Sequence, residues 1–436
     1  LESTIAWGFF GALALSVLMF GTVEPWSLAV FELLTTGLLA LWVIKSVAEK
    51  RFTLQVPKLI LPLGALLVFG LLQSATGMSM DREATRAACV SILFVLAAAI
   101  ITGNFFASRE RLARFTLALT WFGFALALFA ILQHVTWDGH IYWVRPTDRN
   151  AFGPFGNRNH YAGLMEMLAP LPLALMATRA VRRESWAIYG FVAALMGLSI
   201  IVSLSRGGMI SFAAGLIFLA VARRREKRRA AAPRKLPRLG VLSIISLAVI
   251  AGVIWLGAEG VLNRLIGTID ERETAHLDYY GRDWIWKDTL AMIAAHPVTG
   301  VGLGAYGTLY PLYSHADGSM ILNYAHNDYL QLLAEAGVIG AALALWFIVG
   351  LFREIAAGLR AEDARMRALS LGAGAGCFSI FIHSLFDFNL QIFSNSVLFV
   401  VLSIAISQAA RASSHSRDAA LKAAPAKAGY VTGVTS

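Results

Sequence analysis

The chain has 436 residues, 57% of them hydrophobic and 15% charged, with a mean hydropathy of +0.64, which excludes an ordinary soluble domain. Its 37 Lys and Arg outnumber its 27 Asp and Glu, for a net charge of +10. The excess gathers in short loops beside apolar stretches, so it reads as a topology signal and no nucleic-acid partner is implied.

Apolar stretches long enough to cross a hydrocarbon core of about 30 Å as helices recur along nearly the whole length. They predict an all-α polytopic membrane protein with about twelve transmembrane helices. The expected spans lie near residues 4–22, 26–46, 58–76, 85–103, 112–135, 160–178, 186–204, 207–222, 239–257, 326–352, 368–386 and 390–410. The first reads as a retained span: no small-residue cleavage site follows it, and Glu24-Pro25-Trp26 leads straight into the next apolar stretch. Lys and Arg concentrate in the loops at 45–58, 109–114, 179–183, 223–238 and 353–367 and in the tail. Cytoplasmic loops keep positive charge, so both termini are expected in the cytoplasm. The chain then divides into transmembrane helices at 1–257, one large outer loop with helices at 258–325, transmembrane helices at 326–410, and a disordered cytoplasmic tail at 411–436. Cys89 and Cys377 both fall inside apolar spans, leaving neither a disulfide framework nor a CxxC metal site.

The loop at 258–325 is too long for a plain connection and reads as a small folded element or lid. Within it, GRDWIWKDTLAMIAAHPVTG predicts a helix from about Asp283 to Ala295, ended by His296-Pro297. Trp284, Ile285, Trp286, Leu290 and Ile293, set against Lys287 and Asp288, suit a helix lying at the membrane surface. The run GVGLGAYG has glycines at phosphate-loop-like spacing, but no strand precedes it, so it reads as a glycine-rich turn.

Basic residues on the outer side stand against the topology rule, and each needs a reason. They are Arg145 and Arg149 in YWVRPTDRN, Arg158 and His160 in FGNRNHYAG, Arg206 in SLSRGG, and Arg282 in YYGRD. An arginine at a helix end can snorkel to lipid phosphates or cap carbonyls. Several guanidinium groups converging outside the membrane instead suit a held anion, since arginine's planar fork matches phosphate oxygens. A lipid diphosphate fits best, because its polyprenyl tail needs a bilayer-facing groove leading to a charged head.

His326 opens the tenth expected span where the chain leaves the outer loop, near the water interface. An imidazole there is suited to accept a proton from an attacking hydroxyl, and the alternative is an interfacial cap. Asn327 and Asp328 can satisfy first-turn amides or contact substrate. Gly337 and Gly340 favour close packing against a neighbouring span. In FIHSLFDFNLQ, His383 and Asp387 share one face near an outer helix end, where they can pair or contact substrate. No DxD, EF-hand or HExxH pattern occurs, and Asp270, Glu271 and Glu273 sit in a stretch that reads as solvated, so neither a catalytic metal nor a cofactor is expected.

SLSRGG, GRDWIWKDTLAMIAAHPVTGVGLG and HNDYLQLLAEAGVIG, in this order, resemble the O-antigen ligase family. O-antigen polymerases and protein O-oligosaccharyltransferases look similar in these regions. The resemblance implies a GT-C-like glycosyltransferase of the bacterial inner membrane with a periplasmic active site. It would transfer a glycan from undecaprenyl diphosphate to the lipid A-core, with inversion, amid membrane lipids. By matching motif positions, Arg206 and Arg282 would hold the diphosphate and His326 would activate the acceptor hydroxyl, with Arg145, Arg158 and His160 on a less exact pattern. A polymerase or protein glycosylase would use the same donor with another acceptor. A lipid or solute transporter would show inverted repeats or broken polar helices at the midplane, whereas here polar residues cluster at outer ends.

Overall fold

The computed structural model describes residues 1–147, 150–229, 281–316 and 322–423. The expected span at 239–257, Arg149 and the acids at 270–273 lie outside the described residues. The chain is an all-α polytopic membrane protein, with eight described helices long and apolar enough to cross a bilayer.

In chain order the helices are α1 (Glu2–Leu18), α2 (Pro25–Ala48), α3 (Leu61–Thr76), α4 (Arg82–Phe105) and α5 (Arg109–Val135). A two-stranded ribbon, β1 (His140–Ile141) and β2 (Arg145–Pro146), leads to α6 (Arg158–Leu168), α7 (Pro170–Ala177), α8 (Trp186–Val202) and α9 (Arg206–Arg229). Then come α10 (Arg282–Ala295), α11 (Asp328–Gly358), α12 (Ala364–His383) and α13 (Phe393–Ala423). Every expected span inside the described residues falls on a helix, with one correction. The stretch read as a single span at 160–178 is interrupted at Ala169, because Pro170 and Pro172 supply no backbone N–H. The last helix also runs past Arg411 to Ala423, into the stretch read as a disordered tail.

Position in the bundle follows composition. In α13 the apolar window is 94% buried, whereas that of α2 is 22% buried, so α13 runs through the protein interior and α2 along its edge. Beside α13 lies α12, whose SLGAGAG run is buried throughout. A Cβ on Gly376 would fall 2.4 Å from Met167 O, and one on Gly372 would fall 2.9 Å from Leu171 Cα, so small residues let α12 press directly on the α6–α7 pair.

Loops expected on the outer side meet at one end of the bundle. Tyr142 Oη donates to Leu18 O, Arg145 pairs with Glu24, Thr308 donates to Asp81, and Asn159 donates to Asp387. The segment after α10 is threaded into this end. α11 is kinked at Gly337 (φ 57°, ψ −156°), which breaks its hydrogen-bond ladder and leaves nearby carbonyls for other donors. The amides of Val301 and Gly302 donate to Ala334 O and Glu335 O, and Gly304 N donates to the Glu335 carboxylate. Gln73 of α3 donates to Thr299 O and Glu335 O and accepts from Leu303 N. The GVGLGAYG turn is thus a docking strap. A Cβ on Gly337 would sit 2.3 Å from Val298 O, so its close neighbour is this strap and not the neighbouring span expected from sequence.

The helix expected at Asp283–Ala295 is present as α10, but the expected partition of its faces is not. Asp288, assigned to the polar side, is fully buried and accepts from Tyr310 Oη, His315 N and His315 Nδ1. Ile285, Asp288, Thr289 and Met292 form the buried face, packed on Tyr306 and Tyr310, while Leu290 is exposed. Residues 306–315 cover this face because they follow α10 closely in the chain and bring Tyr306, Tyr310 and Tyr313.

Candidate functional site

The sequence His-Asn-Asp builds a presentation device. His326 adopts φ 50°, a left-handed conformation uncommon outside glycine, which turns the chain sharply into α11. Asn327 is the N-cap of α11: its Oδ1 accepts from Tyr329 N and Leu330 N, and its Nδ2 donates to Leu385 O. Asp328 pins the loop after α12, accepting from Ser384 Oγ at 2.7 Å and Leu390 N at 3.2 Å, while its own N–H donates to Ser384 O. The preceding Ala325 is held on both sides, its N–H by Gln331 and its carbonyl by the Trp286 indole of α10. The backbone on both sides of the turn is held, and the turn leaves the imidazole partly exposed.

Asp387 is the hub that the imidazole meets. Its carboxylate is 1% exposed and lies 3.7 Å from His326 Nδ1 and 3.8 Å from an Arg282 nitrogen. Asn159 Nδ2 donates to Oδ2 at 2.5 Å, and Phe388 N donates to Oδ1 at 2.9 Å. Burial works against the charged carboxylate, but the His326 contact, the nearby His160 and His383 rings and the Phe388 amide outweigh it and hold Asp387 below the ordinary carboxylate range. The Arg282 and His326 contacts are longer than good hydrogen bonds. Arg282 is 46% exposed.

An aromatic wall lines the same place. The Phe388 ring stacks on Tyr324 at 4.3 Å and receives the edges of His160 and His326 at 4.8 and 4.9 Å. His160 is buried, and its backbone carbonyl accepts from Asn395. Arg158 opens α6 one residue before Asn159. Arg206 opens α9, and the Gly207 beside it lies against the His383 ring: a Cβ there would fall 2.8 Å from Nε2.

Of the residues expected from sequence, the structure brings His326, Arg282, Asp387 and His160 into one cluster, with Arg158 adjoining Asn159 in the chain and Arg206 adjoining Gly207, which lies against His383. Arg145 is committed elsewhere: it pairs with Glu24 and lies 4.4 Å over the Phe20 ring. His383 and Asp387 do not pair through their side chains, although Asp387 N donates to His383 O. The His383 ring faces Glu166 of α6 instead, with Nδ1 3.2 Å from Oε1. Asn159, Phe388, Tyr324 and Glu166 were not singled out by sequence. The one available signal was a glutamate in the middle of an apolar stretch.

Residues 191–345 match the family model described as O-antigen ligase. The match runs from α8 into α11 and takes in Arg206, Arg282 and His326, while Asn159, Glu166, His383 and Asp387 lie outside it. No curated protein matches the chain. The helical membrane architecture and the matched segment, which carries Arg206, Arg282 and His326, make residues 191–345 of this chain similar to the O-antigen ligase family.

Proposed function

We propose that the protein is an O-antigen ligase that transfers a glycan from undecaprenyl diphosphate to the lipid A-core oligosaccharide. In this reading the reaction takes place on the periplasmic face of the inner membrane, with both termini cytoplasmic. The observation that carries it is the meeting of Arg282, His326 and Asp387, two of them within the O-antigen ligase match.

The chemistry follows from the donor. His326 takes the proton of the acceptor hydroxyl as that oxygen bonds to the anomeric carbon from the face opposite the diphosphate, which inverts the centre. The bond from the anomeric carbon to the diphosphate oxygen breaks, and its electron pair leaves with the diphosphate. Asp387, on the Nδ1 side of His326, favours the tautomer with Nδ1 protonated, which leaves the Nε2 lone pair for the acceptor. Arg206 and Arg282, with Arg158 beside them, offset the charge that grows on the leaving diphosphate. The glycosyl diphosphate supplies the driving force, so neither ATP nor a metal has a step to perform.

Full-length protein in nanodiscs, given undecaprenyl-diphosphate-linked glycan, tests this against three acceptors: lipid A-core, a growing glycan chain and a serine-containing polypeptide. Product on lipid A-core is expected. Product only on glycan or only on polypeptide would instead make the protein a polymerase or a protein glycosylase, and donor movement across liposomes without glycan transfer would make it a transporter.

A further inference from the structure

Behind the cluster, the mechanism leaves one pair of ionisable residues unused. Glu166 on α6 and His383 at the end of α12 are both buried within the helix bundle, 0% exposed as residues. They face each other at 3.2 Å between Oε1 and Nδ1. Among the described residues, Glu166 Oε2 and His383 Nε2 are buried with no hydrogen-bond partner. A pair so poorly satisfied is a weak stabiliser, because well-packed apolar side chains of similar volume would serve folding as well or better. Its position is the more informative feature.

His383 touches both halves of the reaction centre. Its carbonyl accepts the N–H of Asp387, the carboxylate that holds His326. Its Nε2 edge lies against Gly207, next to Arg206. The SRGG sequence explains that approach. Ser205 Oγ accepts from Gly208 N at the start of α9. A Cβ on Gly207 would meet His383 Nε2 at 2.8 Å, and one on Gly208 would meet Ala162 of α6 at 2.5 Å. Two glycines thus let the start of α9 press onto α12 and α6, the helices that carry His383 and Glu166, and Arg206 is the residue next to them in the chain.

Resting on the reading of Arg206 as a diphosphate ligand, we propose that Glu166 and His383 are a positioning pair: Glu166 fixes the His383 ring, and the ring fixes the start of α9 so that Arg206 faces the diphosphate. The pair touches no substrate and acts through Arg206.

The test is binding of undecaprenyl diphosphate carrying no glycan to full-length protein in nanodiscs, read by native mass spectrometry beside thermal unfolding. The double variant Glu166→Leu/His383→Leu is expected to unfold no earlier than the parent yet bind about tenfold more weakly. Glu166→Gln, whose amide carbonyl still accepts from Nδ1–H, is expected to stay within about threefold of the parent. Gly207→Ala leaves both residues in place but pushes a methyl onto the ring, and about a tenfold loss is expected, independent of whether the double variant folds. Parental binding by Gly207→Ala or by a folded double variant overturns the proposal, as does a loss with Glu166→Gln equal to that of the double variant. Arg206→Ala separates the two readings: if it binds like the parent, the assignment of Arg206 itself fails, and if it alone binds poorly, only the pair's role does.

Discussion

Buried hydroxyls in the first five helices and polar side chains at the end formed by α6, α11 and α12 work in opposite ways. In the first region buried hydroxyls turn back on their own helix: Ser16 donates to Leu13 O, Thr102 to Ala98 O, Thr116 to Leu112 O and Thr120 to Thr116 O. Such back-bonding satisfies a polar group in an apolar bundle and ties nothing to anything else. Around α6, α11 and α12, polar side chains cross between elements: Asn159 to Asp387, Ser384 to Asp328, Asn327 to Leu385, His383 to Glu166. The contrast separates hydroxyls that need only be satisfied within an apolar bundle from side chains that hold elements at fixed positions relative to each other, as Gln73 of α3 and Gln133 of α5 also do.

Substitutions can break or sharpen that contrast. His326→Ala is expected to have the largest effect, about a 10³-fold loss of kcat in the nanodisc transfer assay, and near-parental turnover would remove the base from the mechanism. Asp387→Asn is expected to cost about 10²-fold in kcat at pH 8, and its effect on thermal stability is expected to be the same at pH 5 and pH 8. Here the sign matters: the folded-state pKa of Asp387 is depressed, so its stabilisation is present above the unfolded value of about 3.9 and is lost only as pH falls through the lower folded value. A loss confined to one pH arm would contradict this.

Gly337→Ala combines a positive φ with a Cβ 2.3 Å from Val298 O and is expected to destabilise by about 1–3 kcal/mol, seen as earlier thermal unfolding with the strap at 297–304 exchanging hydrogen faster. Arg145→Ala, which removes the Glu24 and Phe20 contacts, is expected to leave kcat within about threefold, since an exposed ion pair contributes about 1 kcal/mol or less. Smallest of all, Thr120→Ala in α5 removes one back-bond, at about 1 kcal/mol or less and with unchanged turnover. A large activity loss there would erase the distinction between the two regions.

Hydropathy revealed the helices because burial in lipid depends on composition, which is additive along the chain. Sequence also pointed to Arg282, because positive charge on the side expected to face outward departs from a rule that can be read locally, and to His326, by its place at the mouth of an apolar run; the structure brings both to Asp387. The partner of His383 could not be read this way. His383 and Asp387 sit at pairing distance on a helix, yet α12 ends at His383 and the chain turns, which leaves the ring to a glutamate more than two hundred residues earlier. Asp288 misled for a related reason: the alternation of polar and apolar residues on α10 suits a membrane surface, but the following loop brings Tyr310 and His315 as hydrogen-bond partners and makes a buried aspartate affordable. The kink at Gly337 was legible only as a glycine, since its cause is the strap that packs against it.

The strap seated at the kink of α11 bears on how such outer loops could be exchanged between related enzymes. Its root is gripped by Gln73 on α3 and by the Ala334–Glu335 carbonyls, far apart in sequence from each other. A chimera that imports a foreign loop but keeps the host's α3 would lose that grip, and the segment bearing the imidazole would lose its seat with it. Transplanting such a loop would therefore require moving residues 297–304 together with Gln73, Glu335 and Gly337 as one unit.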